Sequence, residues 1–112
     1  MYPKDTNGTA TNIFGGALMG YMNSAGITAC KAVSRNRAVT VAFDSIVFKQ
    51  PVHVSDILYV WANVTAVGNT SIKTDIIVEA LRDGKQIPVT VGRAVFVSVD
   101  DNGHKIAVVG WN

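Results

Sequence analysis

The sequence predicts an α+β fold in which one long apolar helix is wrapped by a curved antiparallel sheet. Three observations carry this. Residues 15–33 are apolar on nearly every side of a helical wheel, and a helix without a wet face is one that becomes covered. From residue 38 the period of the pattern changes to two, with β-branched and aromatic residues in the majority, as in strands. Turn signals then recur at Gly68-Asn69, Asp83-Gly84 and Asp101-Asn102-Gly103, which favours short antiparallel connections over crossovers.

The elements follow in order. The first twelve residues, MYPKDTNGTATN, are polar and rich in Thr, Asn and Gly, and they read as a loop. The helix spans about Gly15 to Val33, with Ser24, Thr28 and Lys31 as one narrow wetter stripe, and the cluster Ser34-Arg35-Asn36-Arg37 ends it. AVTVAFDSIVF at 38–48 is the first strand, and Gln50-Pro51 stops it because proline has no N–H for a ladder. Further strands are expected over 57–67, 70–81, about 88–99 and, briefly, 105–109. No repeat or linker divides the 112 residues, so residues 1–112 form one domain.

Composition narrows the function. A hydrophobic fraction of 48% supplies a core, while only 16% charged residues points to some surface being covered in an oligomer. The net charge of +2 and the scattered basic residues give no footprint for nucleic acid or an anionic membrane. Cys30 is the single cysteine, which excludes an intrachain disulfide and fits a reducing compartment. Its apolar neighbours make it a small core side chain. The apolar run is interrupted by Asn23, Ser24 and Thr28 and is short for a membrane span. Ile27-Thr28-Ala29-Cys30 has the look of a lipoprotein cleavage box, but the segment before it is not cationic and the chain opens at Met1. A cytoplasmic protein is expected.

Gly16, Gly20, Asn23 and Ile27 are spaced by four, three and four, so they share one helix face. Glycines on one face permit close approach of a backbone or a ligand. Two readings stay open: tight packing of helix on sheet, or a groove with Asn23 in its wall.

The run DTN at 5–7, IFGG at 13–16, LM at 18–19 and M-x-x-A-G at 22–26 resembles the signature of bacterial hotdog-fold acyl-CoA thioesterases. The similarity continues through VTVAFDSIVFKQPVHVSD at 39–56, GNTS at 68–71 and FVSVD at 96–100. The resemblance implies two subunits joined edge to edge, higher assembly as a dimer or trimer of dimers, and a site at the subunit interface. It implies an acyl-CoA ligand, hydrolysed to free acid and CoA, with no metal and no cofactor beyond the coenzyme A of the substrate. Thioester hydrolysis needs an activated water or nucleophile and donors for the developing oxyanion. Gly15 and Gly16, placed at the helix start, would offer free backbone N–H groups at the positive end of the helix dipole, and such donors typically lower a barrier by about 3–4 kcal/mol. The family's polar loop residue is present as Asn7. Gly20, Lys49, Arg37, Asn69, Thr70 and Ser71 are the substrate-binding candidates, with Arg35 and Arg93 as further bases for the CoA phosphates.

The chain departs from the family at one point: Met22 is followed by Asn23 where the pattern has aspartate. An amide takes no proton near neutral pH and is not a nucleophile; it donates and accepts hydrogen bonds. Weak hydrolysis, or acyl-CoA binding without hydrolysis, is therefore implied, with Asn7 and Asn23 positioning water or substrate. Asp44 is expected on one strand face with Thr40, Ala42 and Ile46, in a structural role. Asp56 reads as an ordinary turn residue, and His53 and His104 as solvated surface histidines.

Overall fold

The computed structural model describes residues 8–53 and 55–110, with side chains from position 16 onward. The order is α1 (Gly8–Val33), β1 (Arg37–Phe48), β2 (Ile57–Val67), β3 (Ser71–Arg82) and β4 (Lys85–Val99). The strands form one antiparallel sheet in the order β1-β4-β3-β2, so among the described residues β1 and β2 are its edges. Helix α1 lies across one face and touches all four strands.

The period of two in β3 separates its faces cleanly. Ile72, Thr74, Ile76, Val78 and Ala80 are buried under the helix, and the residues between them are wetter. In register beside them in β4 stand Phe96, Ala94, Gly92 and Thr90. The helix answers with Leu18, Met22, Gly26 and Cys30, all buried and four residues apart, which is the spacing of one helix ridge. Burial pushes the Cys30 thiol up to about 11, which keeps it protonated and inert.

Two glycines make the close fit. A Cβ at Gly26 would overlap the Phe96 ring, 2.7 Å from Cε1. One at Gly92 would stand 2.7 Å from the Met22 methyl and 3.3 Å from the Ser45 carbonyl oxygen. Gly92→Val therefore overpacks the seam and is expected to cost about 1–3 kcal/mol, read as a lower thermal unfolding midpoint than that of the parent protein.

Several elements differ from expectation. From Gly16 onward the helix is buried on one face only, with Met19 39% and Tyr21 54% exposed. It begins at Gly8 rather than near Gly15. β4 begins at Lys85, ahead of the expected residue 88, because Pro88 sits at a register shift opposite Glu79, where a missing N–H is tolerated. Residues 105–109 make no last strand. The tail has one bridge, Lys105 to Val99, and then spreads its hydrogen bonds over Ser98, Asn69 and Arg35, so no ladder can build. β1 carries two register shifts, which skip Val41 and Asp44. Thr40 and Phe43 consequently face the helix side, paired with Phe96 and Ala94, while Ala42, opposite Val95, turns outward. Thr40 and Ala42 do not share a face.

Candidate functional site

The helix–sheet frame puts Asn23 beside edge strand β1. Its side chain is half-buried, and its Oδ1 accepts a hydrogen bond from the Thr40 hydroxyl. Thr40 earned no role in the sequence beyond its strand position. The signal that would have found it is the placement of a hydroxyl on the helix-facing side of β1, which depends on the bulges.

Gly16 and Gly20 lie on the same side of α1 as Asn23, both exposed. A Cβ at either would meet nothing within 4 Å. Among the described residues these glycines therefore do not serve tight packing of helix on sheet; Gly26 does that. Their face is open, and Asn23 stands at its rim.

The early start of α1 changes the reading of Gly15 and Gly16. The four unpaired N–H groups of a helix belong to its first turn, and here that turn starts at Gly8. Gly15 and Gly16 lie two turns further in, where a continuous helix directs each N–H to the carbonyl four residues earlier. Gly15 and Gly16 therefore offer no unpaired first-turn N–H for an oxyanion site. Asn7 lies outside the described residues.

The substrate-binding candidates fall at two ends of the sheet. Arg37 opens β1 beside Val99, and Asn69, Thr70 and Ser71 form the β2–β3 turn at that same end. The turn's carbonyls are already engaged: Asn69 accepts from Val108, Thr70 from Ser98 and Ser71 from Gly68. Lys49 is exposed at the opposite end, just past β1, its backbone N–H held by the Val89 carbonyl. The span of β1 separates Arg37 from Lys49 by roughly 35 Å at strand rise. One protomer does not gather these residues round one ligand. Arg35 is exposed at the helix exit. Arg93 is turned away from the helix, since its neighbours Gly92 and Ala94 are the buried ones, and its Nε donates to Asp75 at 2.9 Å. It is not a groove residue.

Asp56 is not an ordinary turn residue. Its side chain is 1% exposed and bonds Arg82 Nη2 at 2.5 Å. It also accepts from Arg82 Nε and from the His53 backbone N–H, and Arg82 donates to the Pro51 carbonyl. This staple ties the 49–56 loop, and with it Lys49, to the end of β3. The Arg82 hydrogen bond holds the Asp56 carboxyl down at about 2, below its unfolded value of about 3.9. A depressed carboxylate pKa stabilises the fold above the unfolded value and loses that contribution as pH falls through the folded one. Parent protein is thus expected to lose stability from about pH 4 towards pH 2 more steeply than Asp56→Asn, in denaturant melts taken across that range. His53 and His104 are exposed, as solvated surface histidines should be.

Among the described residues, no group of three His, Cys, Asp or Glu side chains is placed to hold a metal ion, and no helix is long and apolar enough to cross a membrane.

One helix laid over a four-stranded antiparallel sheet is the architecture that the chain shares with hotdog-fold thioesterases. The sequence model of the Thioesterase superfamily matches residues 10–87, and the chain belongs to that family. An uncharacterized acyl-CoA thioester hydrolase of Haemophilus influenzae is 35% identical over 107 residues, covering 91% of this chain and 69% of that one. The crystal structure of a hexameric hotdog fold thioesterase of Campylobacter jejuni superposes with a TM-score of 0.82 at 39% identity, over 96% of this chain and 84% of that one. An acyl-CoA hydrolase from Staphylococcus aureus, solved with butyryl coenzyme A, coenzyme A and coenzyme A disulfide, gives 0.81 at 32% identity, over 98% and 68%.

Proposed function

We propose that this protein binds acyl-CoA thioesters in the groove between α1 and β1 and hydrolyses them slowly to free acid and CoA. The observation that carries this is Asn23, fixed by Thr40 on the open helix face beside Gly20. By its place in the M-x-x-A-G run, which resembles the family's signature, Asn23 stands where a carboxylate would be expected, and it lacks a carboxylate's proton-accepting power. With a neutral amide there, water is oriented but not deprotonated, and the general-base factor of about 10²–10⁴ is forgone. A second reading, acyl-CoA binding without turnover, is favoured by the same amide.

The site is completed by a second copy. β1 is a sheet edge whose Val39, Val41, Val47 and Phe48 are 40–59% exposed, an arrangement that invites pairing with another strand. Two-fold antiparallel pairing about the middle of β1 would bring Arg37 of one protomer beside Lys49 of the partner subunit. That pairing supports one ligand site from basic residues that a single protomer holds far apart. The proposed location is the cytoplasm, since a lone buried thiol suits a reducing compartment.

The test is thiol release from a panel of acyl-CoAs, run beside binding of a non-hydrolysable thioether analogue. Slow release with tight analogue binding supports the enzyme, and binding with no release supports the second reading. If no member of the panel and no analogue binds, both fall.

A further inference from the structure

We infer that the sheet face turned away from α1 is a self-association surface, on which a second copy of this chain lays the same face. This surface is separate from the β1 edge, and it stands whether or not the chain hydrolyses acyl-CoA.

An antiparallel sheet with one face on its core commonly reads polar on the other. Here a row of apolar side chains crosses all four strands on the outer face. Val47 of β1 is in register with Val91 of β4, Val91 with Ile77 of β3, and Ile77 with Trp61 of β2. Ile77 lies between buried Ile76 and Val78, and Val91 between buried Thr90 and Gly92, so the row points away from the helix. Val47 and Trp61 at its ends are 51% and 50% exposed, and Tyr59 continues the apolar surface along β2 at 37%. The chain's own tail does not cover the row, because Ile106, Val108 and Val109 are bonded to Ser98, Asn69 and Arg35 at one end of the sheet.

Charge, area and shape select a second copy as the occupant. The polar groups beside the row already have partners within the chain. Arg93 Nε donates to Asp75 Oδ1 at 2.9 Å, and Trp61 Nε1 donates to Glu79 Oε1 at 3.0 Å. Covering these groups leaves none of them unpartnered, which is the usual obstacle to burying a polar surface. Away from the β3–β4 hairpin, the charged residues of these two strands on this face are Lys73, Asp75, Glu79 and Arg93, two of each sign. Two copies therefore meet here without net repulsion, whereas a lipid surface is met by a face rich in Lys and Arg. The area suffices as well. Four strands spaced by about 4.8 Å, and the eleven residues of β2 at about 3.3 Å each, give a footprint of roughly 700 Å². A stable interface takes about 800 Å² from each partner. Two such sheets pack about 10 Å apart with their strands nearly aligned, and a two-fold axis between them lays one apolar row against the other.

The experiment takes the full chain through a concentration series. Sedimentation reports mass, and hydroxyl-radical footprinting read by mass spectrometry reports the solvent access of Tyr59 and Trp61. Labelling of both should fall several-fold as the larger species forms. Ile77→Glu sets a charge in the middle of the row and should weaken the association by about tenfold or more, while Ile77→Val should leave it nearly unchanged. A protein that stays monomeric across the series overturns the inference. So does a larger species in which Tyr59 and Trp61 label as they do in dilute protein, a result that leaves the contact to the β1 edge. An unchanged mass distribution in folded Ile77→Glu overturns it too. The footprint is read on the parent protein, so it decides the matter even where a variant fails to fold. Phosphatidylcholine vesicles form the separate arm: protection of Tyr59 and Trp61 that appears only with vesicles assigns the face to lipid and overturns the second copy.

Discussion

Asn23→Asp is expected to raise thiol release from acyl-CoA by about 10²–10⁴-fold, the usual worth of a positioned general base. The gain requires only that the new carboxylate occupy the place the amide holds now. Thr40 favours this, because a hydroxyl that donates to an amide oxygen can donate equally to a carboxylate oxygen. The second carboxylate oxygen then replaces Nδ2 on the open side, where it can take a proton from water. The surrounding fold has little reason to object, since the side chain is half-buried and the change is nearly isosteric. Steady-state assays on the two proteins, at matched thermal midpoints, measure the effect. A rate in Asn23→Asp no higher than in the parent would mean that position 23 is not where water is activated.

The second large effect is on stability. Phe96→Ala removes a ring that is 0% exposed and packs against the helix at Gly26, where a Cβ would overlap it. Truncating a buried phenylalanine typically costs about 3–5 kcal/mol, against a total that is commonly about 5–15 kcal/mol for a domain of this kind. Urea denaturation should show it as a lower midpoint with little change in slope. The pair is also coupled. Gly26→Ala alone drives a methyl into the ring, while in the Phe96→Ala background it fills vacated space and gains the helix propensity of alanine, about 1 kcal/mol over glycine. A double-mutant cycle should therefore find Gly26→Ala destabilising in the parent and stabilising in the truncated core. Additivity within about 0.5 kcal/mol would contradict the contact.

Much of the fold is legible because its signals are local. The period of two marks β2 at Ile57–Val67 to the residue, and Asp83-Gly84 marks its hairpin through two positive-φ residues, at 52° and 77°. The helix start was not legible. Gly8–Asn12 carries, apart from Ala10, residues of weak helix propensity, so local chemistry does not mark a helix start there. The bulges in β1 were hidden too, since strict alternation puts Thr40 and Ala42 on one face and only the pairing with β4 separates them.

The site divides in the same way. Asn23 could be singled out as an amide among apolar neighbours, and the open face of Gly16 and Gly20 follows from helix spacing once the buried ridge is known. Which glycine carries the close packing was not readable from spacing, because Gly26 and Gly20 look alike until Phe96 is placed. Thr40 and the Asp56–Arg82 staple rest on contacts between residues 17 and 26 apart in sequence, and no local pattern announces such pairs. The substrate-binding residues show the converse. They are legible as types, but one protomer holds them at two ends of the sheet, and a spacing that only the folded strands set is not written in local sequence.

The most direct measurement is calorimetric titration of the protein with a non-hydrolysable acyl-CoA thioether, carried out on the parent and on Arg37→Ala and Lys49→Ala. Saturable binding is expected, weakened by either substitution, on a species that sediments as a dimer or larger. A monomer in the ultracentrifuge, or an analogue that does not bind at all, would overturn the account of a shared acyl-CoA groove with Asn23 at its rim.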